Sequence, residues 1–485
     1  MLKYKFDNRL YVTTVIYIFF TIFICFVLRN IINIEQYSHM LGFFTVTHFF
    51  LAMVLMYLTD NLKLSFSTIF IILIYVFHTG QTIILTFFKK YTFLKFNLLQ
   101  YVGTQMYVET YIFVIPVLTA IVLGICFAKI FTFDRKKVFN ELSPKESKEL
   151  NKNIDELKCR KIGIIILIVT FPISFIIAVN RIRLTLSGNY FDSFNYNISG
   201  YVSFLNDFLI VGITLLILSY WYSKRKVTLI YFISIFYYCC TMLSGGRGKA
   251  IISIIYLTFL YLKLVKISIK TIIIFIIVGY LGLSALSVIS VLRDQSNLTV
   301  DDVSKYLKNK RSPILNTLEE FGGTEYTVEI VMNEVPTKVN YKYGETYINS
   351  LSTILPNVKG VFTELNDSAN YVKQLNVSYI GGSIIGELYY NFGNFSFVFA
   401  LIIGYLVEKI SKTLNEKFNA KSYYKIGWYS LVFTTCLWWI RDTFVAVVRN
   451  NVWGLVIILL LSYFYDSVVN YKNRVIQEKE YDISN

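Results

Sequence analysis

The stretch TMLSGGRGKAII, Thr241 to Ile252, places Arg247 and Lys249 among three glycines inside otherwise apolar sequence. A guanidinium beside the free N–H groups of a helix N-terminus favours an anion, and flanking glycines let that anion approach the backbone. A phosphate-binding P-loop is excluded by spacing, because its first glycine would fall at Leu243 and its Ser/Thr position is Ala250. A plain glycine turn carrying surface cations is the competing reading. Further arginines stand at the ends of apolar runs: Arg181 and Arg183 in NRIRLTLSGNY, Arg293, and Arg441 and Arg449 in WWIRDTFVAVVRNNVW. Each could anchor a helix at a membrane interface, but several cations facing one side suit a diphosphate. Among carboxylates, Glu387 in GGSIIGELYYNFG lies between glycines and beside Tyr389 and Tyr390, which could stack on sugar. It is the candidate general base, a role typically worth about 10²–10⁴-fold, with a plain interfacial helix residue as its rival. Asp442 reads as a salt-bridge partner of Arg441, and Glu319 and Glu320 as solvated. His39, His48 and His78 lack two-His spacing and read as core histidines, and no Asp-x-Asp sequence offers a magnesium site. Neither a metal nor a cofactor is expected.

These residues must be positioned by membrane helices. With 55% hydrophobic and 16% charged residues and a mean hydropathy of +0.54, the 485-residue chain does not fit an ordinary soluble fold. A bilayer core takes about 20 apolar residues per helix, and about twelve such stretches are present. They centre on Tyr11–Leu28, Met40–Leu58, Phe66–Phe88, Tyr111–Ile130, Ile162–Val179, Val202–Trp221, Thr228–Leu243, Ala250–Leu264, Thr271–Leu292, Phe395–Leu406, Gly427–Ile440 and Val452–Val469. With the N-terminus inside, the clusters Lys3/Lys5/Arg9, Arg135–Lys161, Lys224–Lys226, Lys263–Lys270, Lys409–Lys425 and Lys472/Arg474 all fall on the cytoplasmic side, as the positive-inside rule requires. The net charge of +16 is therefore chiefly a topology signal, and no basic, aromatic-laced stripe suggests nucleic acid. The expected division is helices over 1–292 with a cytoplasmic loop at 134–161, an external segment over 293–394, more helices over 395–471, and a cytoplasmic tail over 472–485. Connections as long as 293–394 are usually functional, and its apolar spacing over Ile314–Val331, closed by Pro336, predicts helices lying over the bundle. Further short helices are expected near Ser350–Pro356 and Ser383–Asn391. The first apolar run follows basic residues without a small-residue cleavage site and reads as a retained helix. The cysteines lie in apolar segments or, for Cys159, in the inner loop, so no external disulfide framework is expected. The fold class is an all-α polytopic integral membrane protein.

SGGRG between two helices, YKYGETYINSLSTILP at Tyr341–Pro356, GGSIIGELYYNFGN at Gly381–Asn394 and the late arginine pair, in that order, resemble the Wzy-type polymerases of bacterial O-antigen and capsule. The similarity is strongest in the C-terminal half. O-antigen ligases share an arginine-glycine turn but lean on a histidine in the outer loop, where this chain has none. The resemblance implies a metal-independent, membrane-embedded glycosyltransferase with a GT-C-like bundle, in the bacterial plasma (inner) membrane with both termini cytoplasmic. Its substrates would be undecaprenyl-diphosphate-linked oligosaccharides, as donor and acceptor, made into lipopolysaccharide O-antigen or capsule. A chain-length regulator and a flippase would be its protein partners. Arg247 and Arg441 would then stabilise the leaving diphosphate, with Glu387 as base. Arg449, Arg181, Arg183 and Arg293 would bind substrate, while Tyr343, Tyr347, Tyr389 and Tyr390 shape a sugar path. The alternatives are an O-antigen ligase, or a flippase or transporter of lipid-linked oligosaccharides.

Overall fold

A computed structural model describes residues 8–30, 34–60, 64–88, 103–132, 147–187, 200–244, 247–265, 279, 312–355, 357, 360–375 and 380–484. Among them every regular element is helical. The first group comprises α1 (Asn8–Arg29), α2 (Ile34–Asp60), α3 (Phe66–Phe87), α4 (Thr104–Thr132), α5 (Ser147–Ser187), α6 (Gly200–Ser219), α7 (Lys224–Thr241) and, after a 3-10 turn at Met242–Ser244, α8 (Arg247–Leu264). Short helices follow: α9 (Pro313–Gly322), α10 (Thr324–Glu334), α11 (Glu345–Asn349), α12 (Thr363–Ala369) and α13 (Ile384–Phe392). The chain returns to the bundle with α14 (Ser396–Asn419), α15 (Tyr423–Trp439) and α16 (Val445–Ser484).

Nine described helices are long and apolar enough to cross a membrane: α1 to α7, the Ile384–Asn419 run of α13 and α14, and Val445–Tyr471 of α16. α8 carries Arg247, Lys249 and Lys263, and α15 has only 17 residues, yet both belong to the bundle interior. There Tyr256 and Phe259 of α8 meet Phe433 of α15, with ring centroids 5.0 and 5.1 Å apart. Apart from Gly279, the expected helix at Thr271–Leu292 lies outside the described residues. The all-α polytopic class therefore holds, with nine spans described where about twelve are expected.

Close helix contact is set by glycine, as membrane packing without a hydrophobic driving force favours. A Cβ on Gly124 of α4 would lie 2.1 Å from the Leu401 carbonyl oxygen of α14, and one on Gly404 would lie 2.1 Å from the Ile121 carbonyl oxygen. The segment of short helices expected to be external is seated in the same way. A Cβ on Gly322 would stand 2.3 Å from the Gln81 backbone nitrogen, Phe321 stacks on Phe77 at 4.8 Å, and Gln81 Nε2 donates to the Glu319 carbonyl at 3.1 Å. This close approach to α3 explains why the single helical run expected over Ile314–Val331 is broken into α9 and α10. Phe19, Ile168, Phe236 and Leu459 are exposed around the bundle, on the face that a bilayer covers.

Candidate active site

One end of the bundle brings together the C-terminal end of α5, the first turns of α6, α8 and α16, the last turns of α7 and α15, and α9 of the external segment. They enclose a cavity of about 340 Å³ lined by Arg181, Arg247, Lys249 and Arg441 together with the carboxylates of Asp207 and Glu320. Four cations face two anions, so the cavity favours an anionic guest.

Arg247 is the first residue of α8 and is buried, its side chain 6% exposed. Its Nη1 donates to Glu320 Oε2 at 3.1 Å. The turn before it is tied to α5, because Thr185 Oγ1 donates to the Ser244 carbonyl at 3.1 Å. Gly245 and Gly246 lie outside the described residues, but Gly248 has a visible purpose. A Cβ there would meet the Trp438 ring at 2.5 Å and stand 3.4 Å from Arg441 Nη1, so glycine lets α8 close on α15 and brings the two arginines to one wall. The Arg441 guanidinium lies 5.7 Å from the ring centroids of both Phe77 and Trp438, a cation–π setting that orients it. Lys249 donates to Asp207 at 2.9 and 3.0 Å, and Asn450 Nδ2 donates to the same carboxylate at 3.0 Å. Asp207 lies about 10 Å along α6 at 1.5 Å rise per residue.

The remaining expected site residues have other surroundings. Arg183 is exposed on the last turns of α5. Arg449, beside the cavity-lining Asn450, turns toward the start of α6, where a Cβ on Gly200 would lie 3.4 Å from its Nη1. Arg293 lies outside the described residues. Asp442 accepts hydrogen bonds from the Trp438 indole and, at 2.7 Å, from the Thr443 backbone N–H. Burial pushes its carboxyl up from the ordinary value, and those bonds and nearby Lys249 and Arg441 oppose the shift.

Glu387 is fully buried and is not among the cavity-lining residues. Its carboxylate accepts from Trp439 Nε1 at 2.8 Å, the Phe444 backbone N–H at 3.0 Å and Thr346 Oγ1 at 3.3 Å. It thereby joins α13, the Tyr341–Asn349 strip and the α15–α16 turn, and these bonds take up its oxygens inside packed protein. Its neighbours are structural too. Ser383 caps α13, accepting from the Gly386 N–H at 3.1 Å, and meets His78 Nε2 at 2.8 Å. Gly382 lies so close to the α15–α16 turn that a Cβ would stand 2.5 Å from the Asp442 carbonyl carbon. Tyr389 and Tyr390 are buried in a small core with Ile330, Val331 and Tyr371. Tyr347 stacks on Phe392 at 6.0 Å, while Tyr343 is 80% exposed. His48 and His78 are buried and hydrogen-bonded, as core histidines should be.

Sequence reasoning missed Lys249, Asp207 and Glu320 as site residues. Asp207 carried a usable signal, a carboxylate inside an apolar span, since such residues are costly unless functional or paired. Glu320 carried none. Among the described residues, no group of three or more His, Cys, Asp and Glu side chains gathers as a metal site would.

Helices with apolar exteriors around a cavity rich in cations, capped by a helical segment, define a multi-pass membrane protein. A family model for the O-antigen polysaccharide polymerase Wzy matches residues 12–473, and the chain belongs to that family. It is thus an enzyme of glycosyltransferase type, a membrane polymerase of O-antigen polysaccharide acting on lipid-linked repeat units. No curated protein and no solved structure matches it.

Proposed function

We propose that the cavity binds the diphosphate of an undecaprenyl-diphosphate-linked oligosaccharide at the outer face of the bacterial plasma membrane. The growing glycan is transferred from that lipid to the non-reducing end of a second lipid-linked unit. The observation that carries this reading is the convergence of Arg181, Arg247, Lys249 and Arg441 on one cavity of about 340 Å³. A lipid diphosphate is already a good leaving group, and fixed cations aimed at its developing charge supply the electrostatic stabilisation that a metal would otherwise give. Arg247 adds the helix N-terminus of α8 to its own charge.

Arg247 and Arg441 hold the leaving diphosphate, with Arg181 and Lys249 completing the cradle. Arg183, Arg449, Arg293 and the exposed Tyr343 are assigned to the glycan. Tyr347, Tyr389 and Tyr390 support that path from beneath. Glu387 acts at one remove, fixing the turn that carries Arg441.

The test is incubation of the purified protein with lipid-linked repeat units, without nucleotide or added metal, followed by separation of products by chain length. Polymer is expected, unchanged by EDTA, and Arg247→Ala should lower its yield by at least 10²-fold, the scale of losing one transition-state charge partner, while membrane insertion persists. Absence of polymer from a substrate that another polymerase elongates would sink the reading.

A further inference from the structure

The ion pair between Arg247 and Glu320 crosses from the bundle to the external segment and lies in the cavity itself. Glu320 cannot simply drift into place. α9 is seated on α3 through Gly80 and Gly322, through the Phe77–Phe321 stack and through the Gln81 bond to the Glu319 carbonyl. Of the two cavity carboxylates, Asp207 is held by Lys249 and Asn450 deep in α6. Glu320 lines the cavity, is 37% exposed, and accepts from the guanidinium that the proposed function assigns to the diphosphate.

We infer that Glu320 is the catalytic base and that the donor's diphosphate releases it for that task. This rests on the reading of the cavity as a diphosphate site. While paired with Arg247, Oε2 of the carboxylate is engaged in a charge-assisted hydrogen bond and is turned to the guanidinium rather than to a hydroxyl. A diphosphate presents the same guanidinium with more charge and a bidentate acceptor, so it takes Arg247 over and leaves Glu320 beside the leaving group. The acceptor sugar's hydroxyl oxygen then forms a bond to the donor's anomeric carbon. The bond from that carbon to the diphosphate oxygen breaks, its electron pair leaving with the lipid diphosphate, and the hydroxyl proton passes to Glu320. Because Oε2 leaves Arg247 when a donor is seated, the pair also favours an order, donor before acceptor activation.

The test uses the full-length protein in nanodiscs, with undecaprenyl diphosphate as the binding probe and lipid-linked repeat units for turnover. Glu320→Gln removes the competitor for Arg247, so the lipid diphosphate should bind a few-fold more tightly than to wild type. Polymer formation should nevertheless fall about 10²–10⁴-fold, and the acid limb of the rate–pH profile should flatten. Glu320→Asp should bind normally and recover part of the rate. A Glu320→Gln rate within threefold of wild type overturns the base assignment. Parallel losses of binding and rate in both variants overturn it too, because Glu320 would then merely hold Arg247 in place. If wild type and Arg247→Ala bind undecaprenyl diphosphate alike, the diphosphate site itself is wrong, whatever Glu320→Gln does.

Discussion

Lys249 and Asp207 are far apart in sequence, and only the packing of α8 against the bundle makes them a pair at 2.9 Å. Asp207 is mostly buried while Lys249 is about half exposed, so the two changes are not equivalent. Lys249→Met leaves a carboxylate within an apolar helix with Asn450 as its remaining partner, at a cost of roughly 1–3 kcal/mol for a charged acceptor short of a donor. Asp207→Asn should cost less. The double variant should recover the stability lost in Lys249→Met but not polymer formation, since a cation of the cradle is still missing. Thermal unfolding beside the polymer assay checks this, and full activity in the double variant would remove Lys249 from the site. Legibility at this scale followed cost. Arg181, Arg247 and Arg441 could be picked out because cations in apolar sequence demand a reason. Glu320 could not, because which of two adjacent glutamates faces the cavity depends on how α9 is rotated on α3. Glu387 drew notice through its glycines and tyrosines, residue types that serve close packing as well as they serve a sugar site.

At the scale of elements, α10 carries a second consequence of burial. Glu325 and Glu329 are one turn apart and fully buried, and among the described residues neither oxygen of Glu329 has a hydrogen-bond partner. Burial pushes Glu325 up to about 8, opposed by the Thr82 hydroxyl, and pushes Glu329 up to about 9, with the charge of Glu325 adding to the shift. A raised carboxyl keeps its proton in the folded state after the unfolded chain has released it. The stability it confers is thus full below the ordinary carboxylate range and is lost as pH rises through about 8 and 9. The melting temperature in detergent should fall between pH 6.5 and 9.5, and the Glu325→Gln/Glu329→Gln variant should flatten that slope and be the more stable protein at the alkaline end. A wild-type melting temperature independent of pH would show that the pair is neutralised in another way. The same helix shows how far pattern reading reached. Apolar spacing located α9 and α10, and bracketing glycines located α13, but the α9–α10 break depends on a backbone approach between Gly322 and Gln81 that no local pattern encodes.

At the scale of the whole molecule, the two ends of the bundle differ in kind. The cavity and the segment of short helices occupy one end, while a second set of basic residues lies at the other. There Lys158 pairs with Asp466 at 2.7 Å, Lys263 donates to Asn415 at 3.1 Å, and Arg160 and Lys421 sit 4.6 Å over the rings of Tyr220 and Trp221. The up-and-down order of α5 to α8 and α14 to α16 brings these sites together, so the charge bias read from sequence becomes one physical surface. The positive-inside rule predicts that this surface is cytoplasmic, and the proposed function requires the cavity to open on the opposite side, where a lipid-borne glycan can be extended. This is checked in a background without cysteine, by adding a membrane-impermeant maleimide to intact spheroplasts. Ile348→Cys, on α11 at a position 67% exposed, should label at once. Lys224→Cys, exposed at the start of α7, should label only after permeabilisation. The reverse pattern would place the cavity in the cytoplasm, where Arg247 and its neighbours would have to receive a lipid-linked glycan before it has crossed the membrane.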